Sequence, residues 1–241
     1  MKESNEKKRE AIILAGGFGT RLQSLVSDVP KPMAPVAGRP FLSYLLGYLA
    51  HFKISKAIIS TGYLGDKIKS FYKDSFDTIQ IAYTAEDEPL GTGGALKLAI
   101  NNCETEHILV LNGDSFFDVD LGKFAKAHLN SGASFSLALR KVENSSRYGT
   151  IELDGTKITA FREKDGFEKE GIINAGVYIV KRSFFLANCP ADEKFSLEKD
   201  FLEKLVEKFT FTGYLSDSYF IDIGIPEDYN RAQHDFKEFK Y

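Results

Sequence analysis

The chain has 241 residues, of which 43% are hydrophobic and 27% charged, and its formal net charge is −3. This length and balance describe a soluble globular protein with one large core or two small ones, and they exclude a disordered chain. A weakly negative protein has no global field for nucleic acid, so a polyanionic ligand must be met by a locally basic site or a metal ion.

The opening residues 1–10, MKESNEKKRE, are charged and carry no apolar segment of the signal-peptide kind, so a flexible extension is expected there. No later stretch approaches the roughly 18 consecutive apolar residues of a membrane span, so neither export nor a membrane partner is expected. Cys103 and Cys189 stand far apart, supporting neither a disulfide framework nor a zinc site, and a reducing cytoplasm is the expected location. His51, His107, His128 and His234 lack metal-ligand spacing and are read as structural.

The first predicted strand, Ala11 to Ala15, empties into LAGGFGTRLQSLVSDVPKPM, which runs from Leu14 to Met33. Counting from Gly16, Gly17 and Gly19 reaches Arg21, Leu22 and Ser24 where a Walker A loop needs Gly-Lys-Ser/Thr, so that loop is excluded. Leu22 stands where a dinucleotide fingerprint needs its third glycine, so that one is excluded too. What remains is backbone that glycine bends tightly, offering N–H groups to an anion, with Arg21 and Lys31 nearby as cations.

A helix follows over PFLSYLLGYLAHF, where Leu42, Leu45, Leu46, Leu49 and Phe52 share one face. Then come strand KAIIST, helix YLGDKIKSFYKD, strand IQIAYT, helix GGALKLAIN and strand HILVLN, the rhythm of a parallel sheet with right-handed crossovers. After a helix from Leu121 to Ser131 the pattern loosens into strand SFSLALRK and a hairpin, TIEL and TKITAF turning at Asp154-Gly155. Strand INAGVYIV, helix SLEKDFLEKLVEK, strand FIDIG and a charged helix from Pro226 complete the chain, without internal repeats. The expected fold is a single α/β domain over residues 11–241: a Rossmann-like, mostly parallel sheet flanked by helices (11–130), with a smaller α+β lobe (131–241).

Ligands of open α/β sheets gather at the carboxyl ends of the strands. Two such exits carry aspartates: Asn112-Gly113-Asp114 after HILVL, and Asp222-Ile223-Gly224 after YFI. A pair of carboxylates suits Mg²⁺, which takes its other ligands from phosphates and water. Taken alone, Asn-Gly-Asp is equally good turn or cap chemistry, and one acid near an edge strand is commonplace.

The runs LAGGFGTRL and PKPM, then EPLGTGGAL, NGDSFF, FREK, INAGVYI and FIDIG, span about Ala11 to Asn230. In that order they resemble the sugar-1-phosphate nucleotidyltransferase family. The resemblance implies that a sugar 1-phosphate oxygen attacks the α-phosphorus of a nucleoside triphosphate and expels pyrophosphate, with Mg²⁺ as cofactor. Phosphoryl chemistry of this kind is mostly positioning and charge stabilisation. By the same resemblance Leu14, Ala15, Gly16, Gly17, Gly19 and Thr20 cradle the triphosphate, Arg21, Lys31 and Asp114 are catalytic, and Asp114 with Asp222 holds the metal. The 11–130 lobe is then nucleotide-binding and the 131–241 lobe sugar-binding.

The base-reading loop matches Glu86, Pro89, Gly91, Thr92 and Gly94, and the sugar-phosphate side matches Gly113, Tyr148, Gly149, Glu163, Lys164, Asn174 and Gly176. A carboxylate only accepts hydrogen bonds, so Glu86 suits the adjacent N–H donors of guanine better than uracil or thymine. Read without the family, Glu163-Lys164 is also a solvated turn, Gly149 a turn glycine and Asn174 a capping residue.

At finer grain, SDVPKPMAPVAGRPFL, RYGTI and YFIDIGIPEDY are similar to the guanylyltransferase branch that uses D-glycero-α-D-manno-heptose 1-phosphate for cell-surface polysaccharides. Mannose-1-phosphate guanylyltransferases and N-acetylmuramate-1-phosphate uridylyltransferases are near alternatives. A non-catalytic sugar-nucleotide-binding regulatory subunit is the alternative of another class, and retention of Arg21, Lys31, Asp114 and Asp222 favours the enzyme. No nucleic-acid partner is expected, and a homo-oligomer is compatible with the sequence.

Overall fold

The computed structural model describes residues 8–17, 26, 28–162 and 169–241. Strand β1 (Glu10–Leu14) starts at Glu10, whose buried carboxylate accepts the N–H groups of Glu104 and Thr105, each at 2.7 Å. A ribbon of β2 (Pro35–Val36) and β3 (Arg39–Pro40) leads into α1 (Phe41–His51). Next come β4 (Lys56–Thr61), α2 (Gly65–Tyr72), the short β5 (Ser75–Phe76) and β6 (Ile79–Ala85). After α3 (Gly91–Ile100) and β7 (His107–Asn112), a three-residue strand β8 (Ser115–Phe117) precedes α4 (Leu121–Ser131). Asp120 accepts the Lys123 N–H and so caps the start of α4, while Gly132 ends it in the left-handed conformation.

The second half contains β9 (Phe135–Val142), the hairpin β10 (Thr150–Asp154) and β11 (Lys157–Arg162), and the long β12 (Gly171–Lys181). Helix α5 (Arg182–Asn188) follows, then a π-helix (Leu197–Leu202) with a one-turn continuation α6 (Glu203–Leu205). The chain ends through β13 (Phe211–Leu215), β14 (Phe220–Asp222) and α7 (Pro226–Asp235). Periodicity announces neither β8, β13 nor α5, because segments this short hold too few apolar residues to set a period.

Strands from both halves join one mixed sheet in the order β10-β11-β13-β9-β12-β7-β1-β4-β6-β5. Pairing is parallel from β7 through β1 and β4 to β6, and antiparallel where β12 meets β7 and β9. The apolar runs of the central strands are buried on both faces, as parallel strands covered by helices must be. Ala11 and Ile13 of β1, Ala57 and Ile59 of β4, and Leu109 and Leu111 of β7 pack with α1, α2 and α4. Their alternates Ile12, Ile58, Ile108 and Val110 face the opposite layer, with α3, α5 and the π-helix. Both faces are therefore cores, and the carboxyl ends of β1, β4 and β7 emerge together at one edge.

The histidines read as structural include a relay that runs inward from the exposed His107: His107 Nδ1 lies 2.8 Å from His128 Nε2, His128 Nδ1 2.7 Å from Ser136 Oγ, and Ser136 Oγ 2.7 Å from Thr212 Oγ1. Burial pushes His128 down to about 4, so its ring is neutral at physiological pH.

β12 changes register against β9 between Asn174 and Val177, and Gly176 sits in that bulge at φ +75°. A Cβ there would stand 2.7 Å from Ser115 Oγ and 2.8 Å from Asn112 Nδ2. Gly176→Ala is expected to lower the unfolding free energy by about 1–3 kcal/mol, from backbone strain and the clash together. Urea unfolding checks this, and an unchanged midpoint with unchanged slope would contradict it.

Candidate active site

The two aspartates singled out at strand exits meet because β8 pairs antiparallel with β14, with Ser115 opposite Asp222. A 3.0 Å bond from the Ile223 N–H to the Asp114 carbonyl continues the pairing to the aspartates themselves. Lys31 begins a single 3-10 turn, Lys31–Met33, whose local backbone Pro30 and Pro32 restrict. That turn rests on Gly113, where an added Cβ would stand 3.3 Å from Pro32 Cγ. The Lys31 ammonium lies 2.7 Å from Asp114 Oδ2 and 3.7 Å from Asp222 Oδ1, with its side chain only 12% exposed.

Two carboxylates against one ammonium leave the cluster net negative. Burial raises the Asp222 carboxyl above the ordinary aspartate range and the like charge of Asp114 adds to it, against Lys31, the Gly224 N–H and Arg147. Gly224 donates to Asp222 Oδ1 at 2.7 Å, and Arg147 Nη2 approaches Asp222 Oδ2 at 4.0 Å. Among the described residues no group of three or more His, Cys, Asp or Glu converges. Two carboxylates with excess negative charge, and no third such group among the described residues, fit a hard divalent cation that keeps water and phosphate in its shell.

The glycine loop is described as far as Gly17; Gly19, Thr20 and Arg21 lie outside the described residues, as do Glu163 and Lys164. Leu14 accepts the Gly113 N–H at 2.8 Å and Ala15 donates to Ser60 at 2.8 Å, which ties the loop to the ends of β7 and β4. A Cβ at Gly16 would stand 2.6 Å from Glu86 Oε1, so a side chain there would displace the Glu86 carboxylate. The other oxygen, Oε2, accepts the Leu90 N–H at 2.9 Å. Burial raises the Glu86 carboxyl from its usual value, opposed by the Leu90 and Ser60 donors. Glu86 thus stands beside the glycine loop, with Oε2 committed to Leu90 and Oε1 reached by Ser60 Oγ at 3.5 Å.

Pro89 is exposed in the loop that follows. Around Gly91 and Gly94 the side where a Cβ would stand is filled by protein, the carbonyls of Phe195 and Glu193. The close backbone approach there is to the 193–197 segment. Thr92 Oγ1 donates to Glu198 Oε2 at 2.8 Å and accepts the Leu197 N–H at 2.9 Å.

On the second-half side, Asn174 uses its amide within the protein, accepting the Gly176 N–H at 3.0 Å and donating to Tyr178 Oη at 2.8 Å. Gly149 is exposed, and Tyr148 lies beside Arg147, whose Nη2 donates to Tyr148 Oη at 3.2 Å. Burial, with help from Asp222, pushes the Tyr148 hydroxyl up to about 12.

Two side chains outside the sequence reading belong to this geometry. Arg147 connects Asp222 to Asp228, with Nη1 2.7 Å from Asp228 Oδ2. Its only sequence signal is its place immediately before Tyr148-Gly149. Glu198, at the head of the π-helix, gathers Thr92, Ser196 and Tyr178 and so joins the α3 start to β12. Ser196, which accepts the Lys199 N–H as a helix cap, marks that start in the sequence.

A family model described as nucleotidyl transferase matches residues 10–238. The chain belongs to the nucleotidyl transferase family. Among nucleotidyl transferases, a D-glycero-alpha-D-manno-heptose 1-phosphate guanylyltransferase of Aneurinibacillus thermoaerophilus is 46% identical over 231 residues, covering 95% of this chain and 99% of its own. The enzyme of that name from Campylobacter jejuni is 43% identical over 220 residues, 91% of this chain and 96% of its own. The crystal structure of HddC from Yersinia pseudotuberculosis superimposes with a TM-score of 0.85 at 38% identity, covering 95% of this chain and all of that one. The same protein complexed with GMP-PN gives a TM-score of 0.83.

Because Asp222 has a raised carboxyl in this nucleotidyl transferase fold, its charge destabilises the folded state above that raised value, and the penalty disappears below the ordinary 3.8. Asp222→Asn is therefore expected to raise the thermal midpoint of the metal-free protein at neutral pH, with the gain fading as pH falls toward 3.8. Magnesium should then stabilise the parent protein and not the variant. A variant that melts lower at pH 7, or is stabilised equally by magnesium, would contradict this assignment.

Proposed function

We propose that the protein transfers GMP from GTP to D-glycero-α-D-manno-heptose 1-phosphate, giving GDP-heptose and pyrophosphate. The observation that carries the reading is the convergence of Asp114, Asp222 and Lys31 beside a glycine loop, in a chain so similar over nearly its whole length to guanylyltransferases of that name. A new P–O bond forms between the sugar phosphate oxygen and the α-phosphorus while the bond to pyrophosphate breaks. The nucleophile is already anionic, so no general base is required.

The 11–130 lobe is proposed to hold the nucleotide and the 131–241 lobe the sugar. Asp114 and Asp222 would hold magnesium, which would supply positive charge for the phosphate oxygens. The Lys31 ammonium, 2.7 Å from Asp114, would face the triphosphate and offset its charge. Gly16 to Thr20 offer N–H donors from a position that Leu14 and Ala15 fix, and Arg21 adds a planar fork for adjacent phosphate oxygens. Gly113, Tyr148, Gly149, Asn174 and Gly176 surround the sugar, where Glu163 accepts from hydroxyls and Lys164 holds its phosphate.

Glu86, half-buried beside Gly16, is proposed to accept from the guanine N1–H and amino group through the oxygen not bonded to Leu90. No helix among the described residues is long and apolar enough to cross a membrane, and a cytoplasmic location, where GTP is available, is proposed.

Pyrophosphate release across GTP, ATP, UTP and dTTP against heptose, mannose, glucose and N-acetylmuramate 1-phosphates tests the reading. GTP with the heptose phosphate should give the highest kcat/KM; preference for UTP or dTTP, or no turnover in any combination, would contradict it. Asp114→Asn should lower kcat about 10²–10³-fold, the loss typical of one charge-stabilising group. Glu86→Gln should lower kcat/KM with GTP about 10- to 100-fold while barely changing UTP, from the loss of hydrogen bonds to a charged acceptor.

A further inference from the structure

Beyond Arg147, away from the aspartate pair, lies a cavity of about 570 Å³ between the end of β9, the start of β12, the turn before β14 and α7. Its charges are balanced. Arg140 is 3.9 Å from Asp217, Lys141 2.9 Å from Glu170, and Asp228 receives both Arg147 at 2.7 Å and Arg231 at 3.1 Å. Arg140 Nη1 is buried and has no hydrogen-bond partner. Tyr148 and Phe220 add two aromatic rings whose centroids lie 6.0 Å apart.

This lining discriminates between ligand classes. A phosphate group needs a surplus of cations, and here the cations already have carboxylate partners. A hydroxyl both donates and accepts, so alternating guanidinium, ammonium and carboxylate groups match a row of hydroxyls, and aromatic rings suit the intervening C–H groups. Arg147 is the connection to the chemistry, since it lines the cavity and lies 4.0 Å from Asp222.

We infer that this cavity receives the distal, hydroxyl-bearing carbons of the sugar 1-phosphate, with Arg147 separating the phosphate end at Asp222 from the polyol end. The inference rests on the proposed activity and adds the specificity determinants for sugar length. A heptose has one more hydroxyl-bearing carbon than a hexose, and the cavity is where that carbon is read. Arg140, Lys141 and Arg231 are the donors, and Glu170 and Asp217 the acceptors.

The test is steady-state kinetics of the full chain with GTP and D-glycero-α-D-manno-heptose 1-phosphate, comparing Lys141→Ala, Arg231→Ala and their double variant with the parent. Both side chains are more than half exposed, so the fold should persist, which the thermal midpoint verifies. Each single variant should raise KM for the heptose phosphate about tenfold, the scale of one lost charged hydrogen bond, and leave KM for GTP and kcat unchanged. D-mannose 1-phosphate, as substrate or competitor, should lose much less. An unchanged heptose KM in the double variant, an equal loss for mannose, or a parallel rise in KM for GTP would overturn the cavity assignment while the activity stands. A parent protein that releases no pyrophosphate with any sugar phosphate would overturn the activity reading, and the cavity with it.

Discussion

Two carboxylates of like charge, Asp114 and Asp222, are held at one edge of the sheet with a single lysine between them, and the rest of the site is arranged around that repulsion. Left alone in a partly buried place, such a pair favours protonation or separation. The fold prevents separation by pairing β8 with β14, and Lys31 offsets part of the charge from a turn that its flanking prolines restrict. Arg147 approaches Asp222 from the other side while Asp228 holds it in place. A bound cation would offset this repulsion, which supports the proposal that the pair holds a metal beside phosphate.

Such a site needs a rigid support. Apolar strands buried on both faces hold the ends of β1, β4 and β7 level, and the loops after β1 and β7 are joined by the Gly113 to Leu14 hydrogen bond. The antiparallel entry of β12 then places its bulge, with Asn174 and Gly176, against Asn112 and Ser115 next to Asp114. Glu198 ties the start of α3 to Tyr178 on the same strand. Segments from both halves of the chain are thereby linked through side-chain hydrogen bonds around the aspartate pair.

How far the sequence discloses this depends on how local each signal is. The central strands and α4 are legible because their evidence is contiguous: apolar runs bounded by turns, and Asp120 and Gly132 at the two helix ends. The aspartate pair was legible only through strand exits and family motifs, since β8 and β14 are three residues each and meet across a long stretch of chain. The glycines at 91 and 94 show the limit of motif reading. A glycine demands close approach but does not name the neighbour, and here protein backbone fills the space. Arg147 and Glu198 gain their meaning from partners distant in sequence, Asp228 and Thr92, which no spacing rule connects.

The most direct measurement is anomalous diffraction from crystals grown with Mn²⁺ and a non-hydrolysable guanosine triphosphate analogue. A manganese peak at the carboxylates of Asp114 and Asp222, with the Lys31 ammonium moved from Asp114 to a phosphate oxygen, is the predicted result. Manganese bound to the nucleotide but away from both carboxylates, with Lys31 still on Asp114, would contradict it.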